Sequence, residues 1–166
     1  DREWSNGIEL GLSFKDAPSI YFIPQIPNEG EYYRWWHMSK QYAFEKLIRL
    51  SLTSGEVDAN RLYVFGISEG GYGSQRLASF YADYWAAAGP MAGGEPLKNA
   101  PVENCANIGF SLLTGADDTG FYRNDLTWFT QVAFDSVQMA RPLAVDNTPI
   151  FRHRINLLPG MQHHIT

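Results

Sequence analysis

The chain has 166 residues, 45% of them hydrophobic and 19% charged, and its 18 acidic against 13 basic side chains give a formal net charge of −5. That is the composition of one globular domain with a real core rather than of a disordered chain, and without a Lys/Arg cluster it speaks against nucleic acid or an anionic membrane as partner. The single cysteine, Cys105, excludes an internal disulfide and a Cys-rich metal site, and no apolar run reaches the roughly 18 residues of a membrane span.

In chain order, Ile8, Leu10, Leu12 and Phe14 alternate as in a strand, but with Gly7 before them they also suit a weak helix, and we read them as helix. Ser19 to Ile23 (SIYFI) is predicted as a short apolar strand closed by Pro24 and Pro27. Arg34 to Leu50 is predicted as a helix, with Trp36, Ala43, Leu47 and Leu50 on one face. The loop TSGEVDANR leads into a strand, Leu62 to Phe65, and a helix, Glu69 to Tyr81. Trp85 to Gly89 is a further strand, followed by the turn-rich GPMAGGEP, and Ile108 to Leu113 is another. Asp125 to Ala140 is a helix with a stripe of Leu126, Phe129, Ala133, Val137 and Ala140, ended by Arg141-Pro142. Ile150 to Leu157 alternates, with Phe151, His153, Ile155 and Leu157 on one face and Arg152 and Arg154 on the other, as an edge strand does. Strands alternating with helices predict an α/β fold: a mostly parallel sheet with crossover helices, in a single domain over 1–166.

The chemistry concentrates at Gly66-Ile67-Ser68-Glu69-Gly70-Gly71, between a strand and a helix. A serine hydroxyl is a weak nucleophile without a base, an orienting group for that base, and donors aimed at the developing oxyanion. A sharp strand-to-helix turn exposes the hydroxyl and aims the first helical N–H groups at the reacting oxygen. Its tightness demands small neighbours, here Gly66 and Gly70, while Gly71 lets the helix start pack close to the sheet. A plain turn with Ser68 as helix N-cap is the simpler alternative, but it leaves glycine on both sides unexplained. In the elbow scheme an acid and then a histidine follow the serine in the chain. Asp117 and Asp118 lie just past one later strand, and His163 and His164 just past the last. Taken singly, these four are ordinary loop residues. A metal site built from them is disfavoured, because adjacent histidines on one loop do not readily face one ion.

The stretch DANRLYVFGISEGGYGSQRLASFYADYWAAAGPMAGG resembles the α/β-hydrolase superfamily, nearest to the branch of polyhydroxybutyrate depolymerases and feruloyl esterases. The features that match are Asp58, Arg61 and Tyr63 in the lead-in, the elbow at 66–72, and the Ala-Ala-Ala-x-Pro strand from Ala86 to Pro90. The resemblance implies a serine esterase without metal or organic cofactor, acting on a small-molecule or polymer-linked ester. It implies Ser68 as nucleophile and the Glu69 N–H as oxyanion donor. The Gly-x-x-Asp turn implies Asp118 as the acid, with Asp117 as fallback, and the Gly-x-x-His loop implies His163 as the base, with His164 as fallback. The compartment stays open, with a lean toward a secreted or periplasmic protein.

Some features depart from that pattern. Glu69 stands where relatives often have Met or Gln, and its carboxylate is unhelpful beside an oxyanion unless it points away. Thr114-Gly115 replaces His-Gly. The strand and the His-Gly-Gly type loop that carry a second oxyanion donor, and the helix after the histidine loop, are not found in this sequence. The expectation is therefore a piece of a longer chain, lacking N-terminal strands and the C-terminal helix. Two other functions fit the same residues: a prolyl-oligopeptidase-like peptidase, and a catalytically inactive hydrolase-like domain for carbohydrate binding or scaffolding. Trp35, Trp36, Tyr72, Phe121, Tyr122 and Trp128 are candidates either for an aryl- or sugar-binding rim or for the core.

Overall fold

Four strands, β1 (Tyr63–Ile67), β2 (Ala87–Met91), β3 (Gly109–Gly115) and β4 (Arg152–Leu158), form one sheet in the order β1-β2-β3-β4 with every pairing parallel. This is the α/β architecture that the alternation of elements predicts. The computed structural model describes residues 2–13, 19–25, 34–141, 147 and 150–163, without the side chains of residues 2–4 and 6. The chain forms two compact units, Asp1–Tyr33 and Arg34–Thr166.

In the first unit α1 (Arg2–Ser13) is a helix, as the weak helical reading of its apolar residues had it. The predicted strand at Ser19 to Ile23 does not form: these residues make no ladder, and Ile20 and Phe22 are 73% and 61% exposed. Their neighbours Tyr21 and Ile23 instead lie against the helix glycines. A methyl group on Gly11 would sit 3.5 Å from the Tyr21 ring, and one on Gly7 3.1 Å from Ile23. The apolar run therefore serves packing on a helix and not pairing in a sheet.

In the second unit, α2 (Met38–Ser54), α3 (Glu69–Phe80) and α4 (Arg123–Met139) accompany the sheet. Helix α2 starts four residues later than predicted because 34–37 form a turn, with His37 N–H donating to Arg34 O at 3.2 Å. Trp36 thus lies outside the helix, Leu50 is 59% exposed, and Ile48 is the residue α2 buries. Gly55 ends the helix in the left-handed region at φ 77°.

Across the sheet, Val64 lies opposite Ala88, Ala88 opposite Phe110, and Phe110 opposite His153. Val64, Ala88, Phe110, Leu112 and Ile155 join Ala78 of α3 and Phe134 of α4 in the core. The Phe134 ring centroid lies 4.9 Å from that of Phe110, tilted, and 6.1 Å from that of Phe151, edge-on. Burial of each such side chain stabilises the fold by about 1.5–3 kcal/mol. The opposite face is more open: Tyr63, Phe65 and Ile67 are 60%, 40% and 42% exposed.

The buried face of α4 follows the predicted stripe only in part: Ala133 and Val137 pack against the core, but the most buried positions are others. Phe129 is exposed, and Arg123, Thr127, Thr130 and Phe134 are buried. The threonines go inside because their hydroxyls are satisfied. Thr127 Oγ1 donates to Thr114 Oγ1 at 2.9 Å, and Thr130 Oγ1 to Leu126 O at 2.9 Å.

The turn from β1 into α3 is as tight as the motif requires, but the glycines share the task differently than expected. A Cβ on Gly66 would overlap the Gly70 carbonyl, and one on Gly71 would overlap Met91 O, while one on Gly70 would meet nothing within 4 Å. Gly70 contributes a bare backbone for Gly66 to approach, and its own side-chain position is open.

Two predictions follow from this packing. Gly66→Ala and Gly71→Ala each lower stability by about 1–3 kcal/mol, as overpacking does, whereas Gly70→Ala is neutral or stabilising by up to about 1 kcal/mol; urea unfolding of the three variants separates the positions. Burial of Cys105, 3% exposed, pushes its thiol up to about 12. A disulfide reagent at mildly alkaline pH therefore titrates no thiol in the folded chain and one after denaturation.

Candidate active site

Three strand ends supply the site, at the carboxyl edge where open α/β sheets carry their ligands. Ser68 directly follows β1. Its N–H continues the ladder to Met91 O at 3.0 Å, and its carbonyl accepts the Tyr72 N–H at 3.0 Å. Between these two bonds the backbone is forced to φ 55°, ψ −114°. A non-glycine residue in this region carries roughly 1–3 kcal/mol of strain. The strain aims the side chain away from the helix: Ser68 makes no side-chain cap bond to α3. Its hydroxyl is half-buried and meets His163 Nε2 at 2.9 Å.

His163 lies on the loop after β4. That loop crosses the end of β3 so closely that a Cβ on Gly115 would overlap Met161 O. Asp117 N–H donates to Met161 O at 2.9 Å, and Ala116 N–H to Leu158 O at 2.8 Å. These contacts bring His163 Nδ1 to 2.7 Å from Asp118 Oδ2. A carboxylate can only accept, so Nδ1 carries the proton, and in the neutral imidazole Nε2 is left to accept from the serine hydroxyl. Ser68, His163 and Asp118 thus form one continuous hydrogen-bonded relay across 95 and 45 residues of sequence.

Of the two neighbouring acids, Asp118 is 2% exposed and in the relay, whereas Asp117 is exposed and its backbone alone serves the loop. His164 lies outside the described residues. A depression of about 300 Å³ beside the relay is lined by Asp117, Asp118, Thr119, Gly120, Arg123, Gln162 and His163.

Glu69 opens α3 directly after Ser68, and its carboxylate is ion-paired with Arg34. At 39% and 27% side-chain exposure such a pair stabilises little, roughly 0–1 kcal/mol. Its effect is on charge: the carboxylate that follows Ser68 is neutralised by a cation. Arg34 also lies 5.6 Å from the Trp36 ring, whose centroid is 4.1 Å from Arg76, and Arg76 pairs with buried Glu95 at 2.9 Å. Two positions that the sequence did not single out therefore matter here, Arg34 beside Glu69 and Arg123 beside Asp118. Arg123 was legible only as a basic residue five positions after the acid, and Arg34 carried no local signal. Among the six aromatic candidates, Phe121, Tyr122 and Trp128 are 79%, 72% and 51% exposed. Phe121 and Tyr122 are both held at positive φ, 54° and 58°. Trp35, Trp36 and Tyr72 are half-buried, and burial raises the Tyr72 phenol above its ordinary value, against the pull of the Arg123 charge.

No family model matches the chain, and no curated protein does. Among solved structures, a crystal structure of a thermostable esterase is similar to it, with a TM-score of 0.54 and 24% sequence identity over 71% of this chain. The chain spans 28% of that esterase's length. At that identity the likeness is one of fold.

Proposed function

We propose that the chain is the catalytic part of a serine hydrolase that cleaves carboxylic esters through an acyl-enzyme. The observation that carries this reading is the relay from Ser68 Oγ to His163 Nε2 at 2.9 Å and from His163 Nδ1 to Asp118 Oδ2 at 2.7 Å. The similarity of fold to a thermostable esterase points the same way. Ser68 attacks the ester carbonyl while His163 takes its proton at Nε2. Asp118 holds the imidazole in the correct tautomer and stabilises its cationic form. The N–H of Glu69, at the start of α3, faces the developing oxyanion, and α3 adds the positive end of its dipole. His163 then returns the proton to the leaving alcohol. Water, activated by the same imidazole, releases the acid and regenerates Ser68. Within the esterases, the lead-in and elbow residues Asp58, Arg61 and Gly66 to Tyr72 favour the depolymerase and feruloyl esterase branch.

A fluorophosphonate probe is expected to add one equivalent to Ser68, read by peptide mass, and Ser68→Ala removes the label. With an activated aryl ester, Ser68→Ala lowers kcat on the order of a million-fold, and Asp118→Asn lowers it about ten-thousand-fold. Labelling that survives Ser68→Ala, or undiminished turnover, would overturn the assignment, and cleavage of peptides in place of esters would move it to the peptidase reading.

A further inference from the structure

Asp118 has two oxygens and spends only one on His163. The other, Oδ1, accepts from Arg123 Nη1 at 2.7 Å. Arg123 is itself 7% exposed, so the pair is a buried one. The guanidinium is held from several sides. Nη1 also donates to Gly120 O at 2.9 Å, the Phe121 ring lies 5.1 Å away and the Tyr72 ring 6.0 Å away. The start of α4 packs so close to Gly94 that a Cβ there would come within 2.9 Å of Arg123 Cα. Among the described residues, further charged or titratable groups nearby are the exposed Asp117 beside the acid in the chain and the Tyr72 phenol on α3, which feels Arg123, Asp118 and Glu95 of the loop after β2. Glu95 is neutralised by Arg76 at 2.9 Å. Arg123 is therefore the one fixed cation in direct contact with Asp118 among the described residues.

An ionised carboxylate this deeply buried needs a compensating charge. If His163 were the only partner, the charge could come from one of two proton transfers: the imidazole becomes cationic, or the acid takes up a proton. Either one removes the base at neutral pH. A permanent guanidinium on the second oxygen makes both unnecessary. Resting on the serine-hydrolase reading, we infer that Arg123 is a positioning residue. It is the resident counter-charge of Asp118, and it leaves His163 neutral, with Nε2 free to take the Ser68 proton.

The test compares Arg123→Met and Arg123→Lys with the parent chain. With an activated aryl ester, Arg123→Met is expected to move the acidic limb of the kcat/KM profile upward by about one pH unit or more, the usual reach of a neighbouring charge. On the acidic side of the limb the rate falls roughly ten-fold for each unit of displacement, while KM changes little. Arg123→Lys restores most of the limb, because it restores the charge. A limb that stays in place while kcat falls, or a lysine variant as impaired as the methionine variant, would overturn the inference. A second readout needs neither turnover nor an intact nucleophile. In a Ser68→Ala background, the imidazole nitrogen resonances of His163 should report a neutral ring protonated at Nδ1 at neutral pH, and a cationic ring once Arg123→Met is added. A cationic ring with Arg123 in place contradicts the inference even if Arg123→Met fails to fold. Absence of ester turnover with the expected nitrogen signals would instead count against the esterase reading and leave the role of Arg123 standing.

Discussion

The site is organised around one buried negative charge. With 2% of Asp118 exposed, its carboxylate exchanges water for two partners, the imidazole of His163 and the guanidinium of Arg123, while its backbone N–H holds the turn by donating to Gly115 O at 3.2 Å. Leaving such a charge unpaired would cost several kcal/mol. The loop after β4 therefore gains much of its reason for docking on β3 from the same contact that gives His163 its tautomer. Structure and chemistry share a single hydrogen bond here.

The second constraint is the turn at Ser68. A ladder bond to Met91 O on one side and the first helical bond from Tyr72 on the other leave the serine no relaxed conformation. The strain persists because Gly66 and Gly71 allow backbone atoms to meet where any side chain would collide. The pairing of Glu69 with Arg34 is complementary to this: the turn puts an acid beside Ser68, and a cation from the turn before α2 neutralises it.

What could be read from the sequence divides along physical lines. The elbow was legible because its cause is local: strand, small residues and helix sit within a dozen positions. Asp118 and His163 were legible through order and strand ends, without any contact being visible. The strand at Ser19 to Ile23 was misread because apolarity reports burial against something, and the partner here is the helix α1. The stripe on α4 is right at Ala133 and Val137 but misses Thr127 and Thr130, because hydropathy scores them as polar, whereas paired hydroxyls are at home in a core. Gly70 was given a steric role that belongs to its carbonyl, a distinction that only the path of the backbone reveals. Arg34 and Arg123 were passed over because a cation's partner, unlike a glycine's turn, is set by tertiary structure.

The order of the strands also bears on timing. Ser68 is translated early, with β1, and His163, its hydrogen-bond partner, arrives 95 residues afterwards, beyond β4. Parallel pairing of this kind closes long loops and comes late in folding. During synthesis the Ser68 hydroxyl is therefore present long before the imidazole it pairs with, and the relay closes only once β4 has docked on β3.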